Sequence, residues 1–215
     1  LERVHRAGLY ADHADLRRAP NSLLMAYVRT KRVADAVSLA ESILDNEHLY
    51  PHPDIREGNL KVVSIAHTLL KLGAYHRVEQ IARERLGEHV GVAPDSWARF
   101  SQEGLLGIAL LKQGKPVEAE PLLISGYDGM RKHSDTIPRA GSCKVVGHVR
   151  GVSIDATLTE AQFHLFMVAC SLIERFEANG EAAKANECVD FAMNLVNGEV
   201  GEGPIGEQPN LEERQ

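Results

Sequence analysis

The chain has 215 residues, 44% hydrophobic and 25% charged but only 5% aromatic, so any core must be built from Leu, Val, Ile and Ala. A formal net charge of −6, with 30 acidic against 24 basic residues and no dense Lys/Arg cluster, argues against a surface that binds nucleic acid by neutralising phosphates. The longest apolar run, Phe163 to Ile173, is interrupted by His164 and falls short of the roughly 18 residues that cross a bilayer. These figures exclude a membrane span, a collagen and a disulfide-stapled miniprotein, and leave an acidic, aliphatic-rich globular chain.

Residues 1–19 read as a partial or capping helix; they contain no apolar signal segment. The first residue is Leu rather than Met, as expected of a piece of a longer protein. Three cysteines, Cys143, Cys170 and Cys188, cannot all pair and show no CxxC spacing, which points to a reducing, cytoplasmic compartment.

From residue 20 to 138 the chain repeats itself. LLKLGAYHRV at 69–78 aligns with LLKQGKPVEA at 110–119, setting Gly73 on Gly114, and Pro53-Asp54 recurs as Pro94-Asp95, 41 residues on (53 to 94). A more worn copy, residues 28–44, puts Lys31 in the glycine slot and Ala36 in a small-residue slot. A fourth, residues 172–193, puts Gly180 and Ala185 there.

Each copy reads as two helices. The second helices carry apolar or small residues at steps of three, four and seven: Val33, Ala36, Ala40, Ile43 and Leu44; Tyr75, Val78, Ile81, Ala82 and Leu86; Ala119, Leu122, Leu123, Gly126, Tyr127 and Met130; Ala182, Ala185, Val189, Ala192, Met193 and Val196. Each such stripe must be buried against a neighbour. The first helices are apolar on several faces, as in residues 105–111, so they are packed on several sides. Gly73, Gly114 and Gly180 are expected to end them in the left-handed conformation that Gly adopts without steric cost. Ser96 after Pro94-Asp95 supplies an N-cap. Pro121 is awkward, because it falls inside a second helix and removes a hydrogen bond there.

Residues 139–157, RAGSCKVVGHVRGVSID from 139 to 155, break the pattern with β-branched residues and glycines that suit a loop or short hairpin. Residues 158–196 form the last helix pair. Residues 197–215, rich in Gly, Pro and Glu, read as a disordered acidic tail.

The helix pairs resemble the tetratricopeptide repeat (TPR) family, with Leu106-Gly107, Ala119 and Tyr127 in the slots that family fills with small and aromatic residues. The 41–42 residue period, with His-Pro-Asp or Ala-Pro-Asp before the next unit, is similar to the longer kinesin-light-chain type. The stretch PDSWARF at 94–100, followed by GLLGIALLKQGKPVEAEPLLISGYDGM, Ile137-Pro138 and LIERFEANGEAAKA, resembles the TPR region that follows the catalytic domain in certain bacterial serine/threonine kinases. The resemblance spans residues 20–196 and implies an all-α, TPR-like solenoid of stacked antiparallel helix pairs. It implies a protein-interaction scaffold, the regulatory C-terminal part of a kinase chain.

Chemistry of its own is not expected. The glycine-rich loop, strand Lys, HRD and DFG motifs of phosphoryl transfer are absent, and Asp190-Phe191-Ala192 falls mid-helix on a periodic face. His48 and His52 are separated by Pro51, and no carboxylate or thiol set accompanies them, so neither metal nor other cofactor is expected. Residues 140–144 lack the spacing of a phosphate loop.

The expected working surface is a concave groove lined by the first helices. Counting from the aligned glycines gives Asn21, Met25 and Arg29, then His67 and Lys71, then Ser101, Leu105 and Lys112. Three of these are basic, which suits an acidic or C-terminal peptide as ligand. Two readings of other classes remain: an enzyme with a site around residues 139–157 using Cys143 and His148, and a rigid spacer or dimerisation arm.

Overall fold

The computed structural model describes residues 23, 24, 26–45, 55–134 and 142–198, with the backbone alone at 45, 55–60 and 90–92. The described residues are mainly helical, with one two-stranded sheet. After helical residues 26–29 come α1 (Val33–Asp45), α2 (Ile55–Lys71), α3 (Tyr75–Val92), α4 (Trp97–Lys112), α5 (Pro116–Lys132), β1 (Cys143–Val149), β2 (Val152–Leu158), α6 (Glu160–Ala178) and α7 (Ala182–Val196). Residues 1–19, His48, His52, and the tail beyond residue 198 lie outside the described residues.

The helix pairs are joined by one turn used four times. At Gly73, Gly114 and Gly180 φ is +77°, +74° and +75°, and Lys31 in the worn copy takes φ +55°. In each case this residue donates its N–H to the carbonyl three residues back, and the next residue donates five back: Gly73 to Leu70 and Ala74 to Leu69, Gly114 to Leu111 and Lys115 to Leu110, Gly180 to Glu177 and Glu181 to Phe176, Lys31 to Val28 and Arg32 to Tyr27. This paired bonding satisfies carbonyls that a helix end otherwise leaves open. The following helix then begins at the next residue each time, so every pair enters its second helix with the same geometry.

Other helix starts are capped locally. Ser96 accepts a hydrogen bond from the Arg99 N–H at 3.3 Å. Thr159 and Gln162 form a reciprocal capping box at α6. Pro121 sits inside α5 but is exposed, and the helix continues to Lys132.

The second-helix stripes are buried over most of their length: Ala36, Ala40, Val78, Ala82, Ala119, Leu123, Ala185 and Ala192 are all at 1% exposure or less. Two expected members are not. Val33 and Ala182 are exposed, because each is the first residue after the turn and precedes the point where its helix meets the next layer. α4 and α5 approach closely: a Cβ on Gly107 would lie 2.7 Å from Leu123 Cγ, and one on Gly126 would lie 2.6 Å from the Gly104 nitrogen. Glycine is required there by the distance between backbones, since any side chain would part the helices.

Each helix packs on the next in sequence, and the first helices α2, α4 and α6 also touch one another in every pairing. α4 is thereby enclosed, with residues 101 through 110 all buried. The segment expected as a loop or hairpin is an antiparallel hairpin that pairs Cys143 with Leu158 and Val149 with Val152. Arg150 and Gly151 both have positive φ (+46° and +82°), as a two-residue turn of this kind requires. Val145, Val149, Ile154 and Leu158 face inward onto α6 and α7. Arg150 at the tip donates to Glu177 of α6 at 2.6 Å and to Asn186 of α7.

Candidate functional site

The groove expected on the inner face of the first helices is occupied by the protein itself. α6 lies on both α2 and α4, so Ser101 and Leu105 are fully buried and His67 is 6% exposed. All three were expected to face a ligand. A groove position is open only if the next first helix stays clear, and here it does not.

The contact that closes the groove is polar. His164 Nε2 lies 2.8 Å from the Ser101 carbonyl oxygen, which can only accept, so His164 carries its proton on Nε2 and offers Nδ1 as an acceptor. His67 Nε2 stands 2.8 Å from that Nδ1 and therefore donates to it. The chain His67–His164–Ser101 links α2, α6 and α4 with every proton accounted for. Burial holds both rings neutral: His164 is pushed down to about 4. His67 is held well below its ordinary value by burial first, then by His164 and Lys71.

At the mouth of this contact the Phe163 ring lies 5.2 Å from His67, and the Lys71 ammonium stands 5.8 Å above Phe163. Burial raises the Glu160 carboxyl. Burial, then the Glu160 charge, raises the Cys143 thiol, partly offset by Lys71. A raised thiol is a poor nucleophile at neutral pH.

Lys112 occupies a different place. It is exposed, pairs with Glu174 at 3.4 Å, and lines a cleft of about 330 Å³ with Leu111, Pro116, Glu174, Arg175 and Ala178. Arg175 in turn holds Glu120 at 2.6 Å. Phe163 under Lys71 and Glu174 beside Lys112 are 11 positions apart on α6, roughly 16 Å at 1.5 Å per residue. The basic residues therefore do not line one continuous groove. Arg29 is exposed, and Asn21 and Met25 lie outside the described residues.

Cys143 and His148 are not a reacting pair. They are five positions apart on β1, on opposite faces, separated by roughly 16 Å of extended chain. His148 is exposed and meets Ser153 at 3.1 Å. Asp190-Phe191-Ala192 lies within α7, where Ala192 is fully buried. Among the described residues no three His, Cys, Asp or Glu side chains come together as a metal site would need, and no helix is long and apolar enough to cross a membrane.

Sequence reasoning missed His164 and the cleft residues Glu174 and Arg175. His164 did leave a signal: it is the one basic side chain in the apolar run 163–173, and a polar group there must find a buried partner. Compared with known protein families and with curated proteins, the chain matches none.

Proposed function

We propose that the chain is a TPR-like stack of helix pairs that binds an acidic segment of another protein and performs no chemistry itself. The observation that carries this reading is the turn repeated at Lys31, Gly73, Gly114 and Gly180, with identical bonding and an identical offset to the next helix. Units joined in one geometry, each unable to bury its apolar stripe alone, favour a regular pile. The pairing of each second helix with the following first helix supports the same arrangement.

The open part of such a scaffold is the cleft around Lys112 and Arg175. Lys112 is held by the exposed Glu174, which an incoming acidic side chain could replace at little cost, while Arg175 is kept in place beside it by Glu120. The resemblance at residues 94–138 favours a role for this module as the regulatory arm of a serine/threonine kinase chain. A kinase domain encoded in the same chain supports that part, and a complete coding sequence without one removes it.

A random displayed-peptide library selected against the full chain tests the binding itself. Acidic peptides are expected, with affinity falling at least tenfold in Lys112→Glu and unchanged in Lys71→Glu. A selection without enrichment, or peptides indifferent to Lys112→Glu, overturns the assignment.

A further inference from the structure

We propose that the His67–His164 contact is an acid-operated latch: protonation of the pair releases α6 from α2 and uncovers the α4 surface that carries Ser101 and Leu105. The proposal stands on the geometry of the contact and does not depend on what ligand, if any, enters the cleft at Lys112.

The proton inventory sets how the latch works. In the neutral state the pair holds two ring protons, one between the rings and one on the Ser101 carbonyl. A first added proton can be accommodated with both hydrogen bonds kept, as a tautomer shift leaves one ring cationic. That cation is buried, however, with no counter-ion. A second added proton sets N–H against N–H across 2.8 Å, and the bond between the rings is lost. Either step favours a state in which the rings reach water.

Apart from the Ser101 carbonyl, which favours the protonated form of His164, the surroundings supply no group that holds an added proton. The charges that act on His67 come from His164 and from Lys71 of its own helix, both opposing protonation, and His164 bonds His67 and the Ser101 carbonyl. Glu160 of α6 acts on Cys143 of β1. Glu103 of α4 is bound by Arg99 and by Ser125 of α5, and Glu41 of α1 pairs with Arg77 of α3. Among the described residues, then, none of these carboxylates serves the pair as a counter-ion. The Phe163 ring lies against His67 at 5.2 Å, and the α2–α6 contact has no ion pair between described side chains. α4 and α5, by contrast, are joined by the Gly104–Gly126 approach and by the Glu103 bond to Ser125, neither of which involves a histidine.

Hydrogen–deuterium exchange of the full chain, corrected for intrinsic exchange at each pH, tests the latch. Between pH 7 and pH 4.5, protection in residues 101–110 is expected to fall at least tenfold while residues 119–130 keep theirs and far-ultraviolet circular dichroism is unchanged. The double variant His67→Gln/His164→Gln, which keeps amide donors and acceptors without titrating, should lose this response. Equal loss of protection in both segments, no loss in 101–110, or an unchanged response in the variant each overturns the proposal. Should the variant fail to fold, the wild type decides alone: the ring titrations followed by NMR must coincide with the loss of protection, and midpoints more than one pH unit apart overturn it.

Discussion

Lys31 shows how far a single position can be pushed by its neighbours. It stands where three other copies have Gly, and the chain forces it to φ +55° to complete the same pair of backbone hydrogen bonds. An L side chain in that region is crowded against its own carbonyl, which costs roughly 1–2 kcal/mol. Lys31→Gly is therefore expected to stabilise the protein by about 0.5–1 kcal/mol, after the greater freedom of Gly in the unfolded chain is set against the relief. Gly114→Ala is expected to destabilise it by about 1 kcal/mol, although nothing lies within 4 Å of the added methyl group. Urea denaturation of the two variants checks both signs; a loss at Lys31→Gly would mean that the lysine side chain, not the turn, matters there. Ser101 shows the opposite limit. Its hydroxyl bonds the Ala98 carbonyl within its own helix, while its backbone carbonyl holds His164 from 63 residues away.

Among the elements, the hairpin behaves as part of the last helix pair rather than as an appendage. Its inward residues alternate along both strands, Val145 and Val149 on one and Ile154 and Leu158 on the other, and they lie on α6 and α7. A lone two-stranded hairpin is marginal in water, so this packing is what orders it. Ile154→Ala removes a side chain that is 3% exposed and is expected to cost about 2–4 kcal/mol, with α6 and α7 losing protection in the same transition. Val146→Ala, on the outer face at 70% exposure, should change stability by no more than about 0.5 kcal/mol. Equal costs at the two positions would mean that the hairpin does not pack as described. That the segment is a loop or a short hairpin rather than a helix was legible in its β-branched residues and glycines. Its docking on α6 and α7 was not, because an alternating strand shows that one face is buried without showing against what.

For the molecule as a whole, acid stability should be set by the histidines before the carboxylates. The buried rings of His67 and His164, and that of His89, which burial also lowers, titrate below the ordinary histidine value, so as pH falls through about 6.5 the unfolded chain takes up protons that the folded chain refuses. Stability is then lost with falling pH, at up to about 1.4 kcal/mol per pH unit for each ring, until the folded rings also titrate, about 4 in the case of His164. Glu79 adds its share lower down. Hydrogen bonds from Gln113, Arg83 and Lys115 hold it at about 2, so its contribution is present above about 4.5 and is lost as pH falls toward 2. The urea midpoint should therefore drop between pH 7 and pH 5, and drop less in His164→Gln. A midpoint flat down to pH 5 would contradict the buried, neutral pair.

What the sequence determined by itself is what depends on residues close together along the chain. Helix period, the turns at Gly73, Gly114 and Gly180, the Ser96 cap and the hairpin all follow from local geometry and from which residue types tolerate it. Repetition extended that reach to Lys31, whose identity alone gives no sign of a turn. The tertiary structure decided which of the inner positions see water. His67, Ser101 and Leu105 have the spacing of groove residues, yet α6 closes over them through one histidine 97 positions from its partner. Whether two helices with the same pattern leave a groove or fill it depends on how one unit sits against the next, which is fixed by close approaches between units, such as Gly104 of α4 against Val168 of α6, rather than by any local signal.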